Sequence, residues 1–203
     1  MKTSDQELIS RSELMHAVKN SFNLISSIVD IQLMNTQDEN SRSNLLLLSR
    51  RCKAIMLAQT QLLKSLDGTD VQLVDFLRSI TEKLSISHPS KSRFRIEVFG
   101  DPISVKIQKI NYVGLLFSEV LSWIWANQTD SLALVRVRVY AISDLSWSLV
   151  VTAPYYFPPF DNLHLLENSQ EWFLIPLLFK QMKVERIFET SNEQTSISFL
   201  VVG

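Results

Sequence analysis

The sequence predicts an α+β fold in two parts: an N-terminal two-helix hairpin that forms a dimeric four-helix bundle with a second copy, followed by an α/β sandwich. Three observations predict it. Two long stretches before residue 68 carry apolar residues at alternating spacings of three and four, which places them on single helix faces that need a partner. After Asp67-Gly68, a helix stop, short runs of alternating polar and apolar residues are interleaved with helical ones. The break divides the chain into residues 1–68, a helical hairpin, and residues 69–203, a sheet-containing domain.

The first helix runs from about Ser4 to Met34, with Met15, Val18, Phe22, Ile25 and Val29 on one face. His16, Lys19, Asn20, Asn23, Ser27 and Asp30 fall on the neighbouring face and are expected to be wet. The polar stretch Asn35 to Ser43 has turn composition and supplies an N-cap for the second helix. That helix carries Leu45, Leu48, Cys52, Ile55, Gln59, Leu62 and Leu66 on a stripe widened by Leu46, Leu47, Met56 and Leu63. Two helices cannot bury so broad a stripe between them, so a homodimer is expected. Val71 to Ile86 reads as a helix through Leu73, Phe76, Leu77, Ile80 and Leu84, and His88 to Ser92 as a turn. Phe94, Ile96 and Val98 alternate as a strand, Val105 and Ile107 suggest a short one, and Tyr112 to Asn127 reads as a buried helix. Leu134 to Ile142 and Ser148 to Thr152 follow as strands joined at Ser143-Asp144. A helix over Glu171 to Met182 precedes strands at Val184 to Glu189 and Thr195 to Val202. This order implies helices packed on one face of a sheet.

Composition bounds the function. The chain has 203 residues, 46% hydrophobic and 20% charged, enough for a substantial core. With no apolar run of bilayer length and a polar start from Met1 to Arg11, the expected location is the cytoplasm. Cys52 is the only cysteine, which excludes an intrachain disulfide and a cysteine metal cluster and suits buried packing. A net charge of -1 without a dense basic block argues against nucleic acid. Arg50, Arg51 and Lys53 are expected on the solvated side of their helix. Only four glycines occur, at positions 68, 100, 114 and 203, too scattered for a glycine-rich phosphate loop. His88 and His164 have no partners at ligand spacing, so no metal site is expected.

His16 carries the chemistry. An imidazole on a wet helix face can offer a free ring nitrogen as a nucleophile. Glu13, one turn before, can hold the other ring nitrogen and fix the tautomer; Lys19, one turn after, can help hold a phosphoryl group.

The run Glu13-Leu14-Met15-His16-Ala17-Val18-Lys19-Asn20-Ser21-Phe22-Asn23-Leu24-Ile25-Ser26-Ser27 resembles the phosphoacceptor helix of bacterial histidine kinases of the His-Arg-Val-Lys-Asn-Asn-Leu subfamily, with Ala17 in place of the arginine. Arg51-Cys52-Lys53-Ala54 through Leu62-Leu63 resembles their second dimerisation helix, with Gln59 where a histidine is common. The remainder follows the order of their ATP-binding domain, which makes it a degenerate Bergerat-type α/β sandwich. Its four nucleotide motifs are altered. Glu119 of the first is kept, but Ser118 and Trp123 stand where magnesium-holding amides belong. The second, an Asp-x-Gly-x-Gly turn, reads Ala153-Pro154-Tyr155-Tyr156-Phe157, whose aromatics either fill the former pocket or meet a partner. The lid, Asn162 to Glu171, has no glycine, and the last motif reads Gln194-Thr195.

The resemblance implies a histidine phosphotransferase and pseudokinase of two-component phosphorelays, not an ATP-dependent kinase. His16 would take a phosphoryl group from the aspartate of one response-regulator receiver domain and pass it to another. Glu13 would be its orienting base, and Lys19 and Asn20 would contact phosphate or receiver. The degenerate pocket near Glu119, Trp123 and Ala153 would bind no cofactor, and magnesium would come with the receiver. Neither nucleic acid nor membrane is an expected partner. Ala17 favours the alternative, a non-catalytic dimeric scaffold or inhibitor of two-component proteins.

Overall fold

The computed structural model of the chain describes residues 2–64, 70–86, 94–126, 133–143, 146–153, 174–190 and 195–201. Helices α1 (Lys2–Asn35) and α2 (Glu39–Lys64) form the hairpin. Then come β1 (Val71–Gln72), α3 (Leu73–Ile86), β2 (Phe94–Gly100), β3 (Ser104–Val105) and α4 (Ile107–Ala126). The chain continues through β4 (Ala133–Ala141), β5 (Trp147–Ala153), α5 (Ile175–Met182), β6 (Val184–Thr190) and β7 (Thr195–Val201).

Five strands form one mixed sheet in the order β2-β4-β5-β7-β6. Only β2 and β4 run parallel, because α4 lies between them in sequence as a crossover; the other pairs are antiparallel. Alternate residues such as Val135, Val137 and Val139 of β4 and Leu149 and Val151 of β5 point to the helical side and are buried. They meet Phe76, Leu77 and Ile80 of α3, Phe117 and Leu121 of α4, and Leu178 of α5 in one continuous core. The expected α+β architecture, with helices on one sheet face, is therefore the one observed.

Local departures have physical causes. Val71 and Gln72, expected as helix, pair with β3 in a two-stranded antiparallel ribbon, Val71 opposite Val105. Ile107, expected in a strand, opens α4 instead; its buried side chain joins the core from the helix. The hairpin differs more. Val18, Phe22 and Leu33 are half-buried and Ser26 and Val29 buried, so α1 meets α2 along a row that includes a serine, a small residue that lets the helices approach. Ile25, placed by its spacing on the inner face, is 45% exposed and joins Leu24, Ile28 and Ile31 on the outside. Asp30, expected wet, is half-buried: its carboxylate accepts a 2.7 Å hydrogen bond from Ser49 and pairs with Lys53 at 3.5 Å.

On α2, Leu48 of the expected stripe is exposed, whereas Leu47, Cys52, Ala54, Leu57 and Ala58 are buried. The helix is covered from more than one direction, packing on α1 and also on α3 and α4. Part of the burial assigned to a second copy is thus met within the chain. The same packing overturns the solvated placement of the basic cluster. Arg50 is 6% exposed, and Arg51 and Lys53 are each half-buried in ion pairs.

The hairpin turn is closed by Asp38, whose carboxylate accepts the Ser41 backbone N–H at 2.7 Å as an N-cap for α2. Hydrogen bonds from the Ser41 side chain and then its backbone hold the Asp38 carboxyl below its ordinary value of 3.8. A carboxyl with a lowered folded-state pKa stabilises above its unfolded pKa, and that contribution is lost as pH falls through the folded one. Thermal melts should therefore show Asp38→Ala less stable than the unsubstituted chain at neutral pH, with the gap closing as pH falls below about 3.8. A gap constant down to pH about 2 would show that the cap does not depend on ionisation.

Candidate functional site

His16 lies in the N-terminal half of α1 and is exposed. Glu13 and Asn20, one turn to either side, are exposed as well, and Lys19 is half-buried. Positions three and four apart share a helix flank, so α1 presents an acid, an imidazole, an ammonium and an amide along two turns. Such a strip can orient a ring nitrogen and surround an incoming anion with donors.

The hairpin register locates this strip. Leu33 on α1 is level with Arg42, its carbonyl accepting from the guanidinium at 3.3 Å, and Asp30 is level with Ser49 and Lys53. His16, fourteen residues before Asp30, therefore stands about 21 Å along the helix axis from that level, toward the open end of the hairpin.

Glu119, the one nucleotide-motif residue kept in the sequence, has a different setting. It projects from α4 toward α2, fully buried, and both of its oxygens are occupied. Arg51 donates from Nε to Oε1 at 2.6 Å and from Nη2 to Oε2 at 2.7 Å, a bidentate charge-assisted pair. Eight residues further along α2, Gln59 Nε2 donates to Asn111 Oδ1 at 3.4 Å, so α2 and α4 run antiparallel. In the other direction the Arg50 guanidinium lies over the Trp125 ring, 4.6 Å from its centroid. Burial pulls the Arg50 guanidinium down to about 10, partly opposed by the Glu119 charge.

The remaining residues at the nucleotide positions are also interior. Ser118 is fully buried, Trp123 nearly so, and Ala153 ends β5 inside the core. These positions hold a buried carboxylate already chelated by a guanidinium, two interior side chains and a methyl group. The aromatic run at residues 155–157, the lid segment 162–171, Gln194, His88 and His164 lie outside the described residues. Among the described residues no cluster of three or more histidine, cysteine or acidic side chains could hold a metal ion. None of their helices is long and apolar enough to cross a membrane.

The Arg51–Glu119 pair was not legible from motif reading, although one signal pointed to it. A glutamate inside the apolar run Val113 to Trp125 must find a cation when that helix is buried on all sides.

A helical hairpin with an exposed histidine, followed by a mixed five-stranded sheet with helices on one face, is an arrangement like that of histidine kinases. Residues 13–88, from the turn before His16 to the end of α3, match the histidine kinase family HisKA_2. In fold, the chain is similar to the histidine kinase domain of the Erythrobacter litoralis EL346 blue-light activated histidine kinase, with a TM-score of 0.64 at 22% identity. That similarity covers 99% of this chain and 95% of the other. Against the Erythrobacter litoralis EL346 kinase itself the TM-score is 0.62 at 21% identity, over 76% of this chain. The match spans about half of that protein, 53% of its length. No curated protein matches the sequence.

Proposed function

We propose that the chain is a histidine-containing phosphotransferase of a two-component phosphorelay that acts without binding ATP. The observation that carries this reading is a contrast. His16 stands exposed within the segment that matches histidine kinases, while Glu119 has its carboxylate sealed against Arg51. The contrast supports an accessible acceptor without an ATP site to supply it.

In the proposed step a ring nitrogen of His16 attacks the phosphorus of an aspartyl phosphate on a receiver domain. The nitrogen–phosphorus bond forms as the acyl phosphate bond breaks, and the aspartate carboxylate leaves with the bonding pair. The proton on the other ring nitrogen stays in place, held by Glu13, so positive charge on the ring is offset. Lys19 and Asn20 donate to the phosphoryl oxygens or to the receiver. Transfer to a second receiver is the same step reversed, and magnesium comes with the receivers.

The exposed apolar row Leu24, Ile25, Ile28 and Ile31 on α1 supports a homodimer through the hairpin, because a soluble surface seldom leaves so long a stripe uncovered. A relay between receivers places the protein in the cytoplasm.

The test is to incubate the chain and His16→Ala separately with phosphorylated receiver domains and with labelled ATP. Label that is stable to base and lost in acid should appear from a receiver and be missing from the variant and from the ATP reaction. Binding to receivers without any label would instead favour the scaffold that Ala17 suggests, and label from ATP would refute the reading.

A further inference from the structure

We infer that Arg51 and Glu119 are positioning residues: they fix the α/β unit on the hairpin in one orientation, so that a partner meets His16 and that unit as a single preformed surface. The consequence for the partner rests on the phosphotransferase reading; the joint itself does not.

Three contacts between α2 and α4 define the joint. The Arg51–Glu119 fork is planar and bidentate, so it fixes direction as well as distance. Arg50 over Trp125 lies on one side of it and Gln59 to Asn111 on the other. From Arg51 to Gln59 the seam runs about 12 Å along α2, so rotation about any one contact is resisted by the others. Leu57 and Ala58 of α2 also belong to the same apolar core as α4.

Energetics separates orientation from adhesion. A buried ion pair rarely holds two elements more tightly than apolar side chains of the same volume would. Yet α4 turns Glu119 and Asn111 toward α2, and Glu119 is fully buried, as are the neighbouring Ser118 and Ser122. A seam selected for adhesion alone would be apolar throughout; a fork that accepts only one geometry specifies orientation. By the hairpin register the Gln59 end of the joint stands about 6 Å, and the Arg51 end about 18 Å, along the helix axis from the level of His16, so the α/β unit lies beside the acceptor.

The experiment is a pair of spin labels on Met34→Cys and Glu82→Cys, both exposed positions, in a Cys52→Ala background. Labelled chain is diluted with unlabelled chain so that only intrachain distances are read. One narrow distance distribution, unchanged when a phosphorylated receiver is added, is expected. Glu119→Gln should widen it, and should raise the KM for the phosphorylated receiver about fivefold with little change in kcat. If Glu119→Gln does not fold, Arg51→Met/Glu119→Leu keeps the volume without the fork and should widen the distribution in a folded protein. A broad or two-peaked distribution in the unsubstituted joint, or one that stays narrow in both variants, would overturn the inference. If the unsubstituted chain takes no phosphoryl group from any receiver, the phosphotransferase reading falls, and the distances still decide the joint.

Discussion

Glu119→Ala is expected to lower folding stability by about 3–5 kcal/mol, because it leaves the Arg51 guanidinium in a half-buried seam without its carboxylate. For a chain of this size that corresponds to a fall of about 10 °C in the melting midpoint. The loss is not confined to one pair. Arg50 is deeply buried, its charge is disfavoured by burial, and the Glu119 charge is what opposes that cost. Removing one carboxylate therefore takes a compensating charge from two guanidinium groups. The double substitution Arg51→Met/Glu119→Leu should recover most of the loss, since an apolar pair of similar volume is often as stable as a buried ion pair. Chemical denaturation at neutral pH measures both. A single-variant loss below about 1 kcal/mol would mean that Arg51 finds solvent freely once its partner is gone.

Gly100→Ala should be nearly as damaging, for a reason of backbone geometry. Gly100 ends β2 at a φ of 147°, a conformation that side chains disfavour. A Cβ there would stand 2.2 Å from the Val139 carbonyl oxygen and 2.6 Å from the Val139 nitrogen, atoms of the neighbouring strand that cannot rotate away. The next residue is tied to the same strand: Asp101 N–H donates to the Val139 carbonyl at 3.0 Å, and its carboxylate accepts the Ala141 N–H at 2.8 Å. The parallel β2–β4 pairing depends on this close approach. Adding strain of about 1–3 kcal/mol to overpacking of similar size gives a loss of roughly 2–6 kcal/mol. Unfolding curves of Gly100→Ala would show it, and an unchanged midpoint would mean that β2 ends differently.

Much of this architecture could be read in the sequence because period decides it. Phe94, Ile96 and Val98 alternate and form β2, and Leu73, Phe76, Leu77, Ile80 and Leu84 recur at helical spacing and form the buried side of α3. Where the reading slipped, two faces of one helix competed. On α1 both the row through Ile25 and the row through Ser26 satisfy a three-and-four spacing, and hydrophobicity selected the wrong one; close approach to α2 favours the small serine. On α2 the local pattern gives one stripe and leaves Arg50 and Arg51 to solvent, because nothing in it signals a partner on the second side. Their true setting depends on α4, more than sixty residues away, and no local window contains it. His16 is exposed, as its place on a polar helix flank implies, whereas the sequence marks Glu119 as a motif residue but not as half of an ion pair.

Because α2 belongs at once to the hairpin and, through Leu57 and Ala58, to the core of the sheet domain, the break near residue 68 is a boundary of sequence pattern and not of folding energy. A fragment cut there would lay bare an aliphatic surface and a buried arginine together. The hairpin is consequently a poor module for transplantation: grafted onto another signalling chain without α4, it would carry an unmet cation and a sticky flank into its new host.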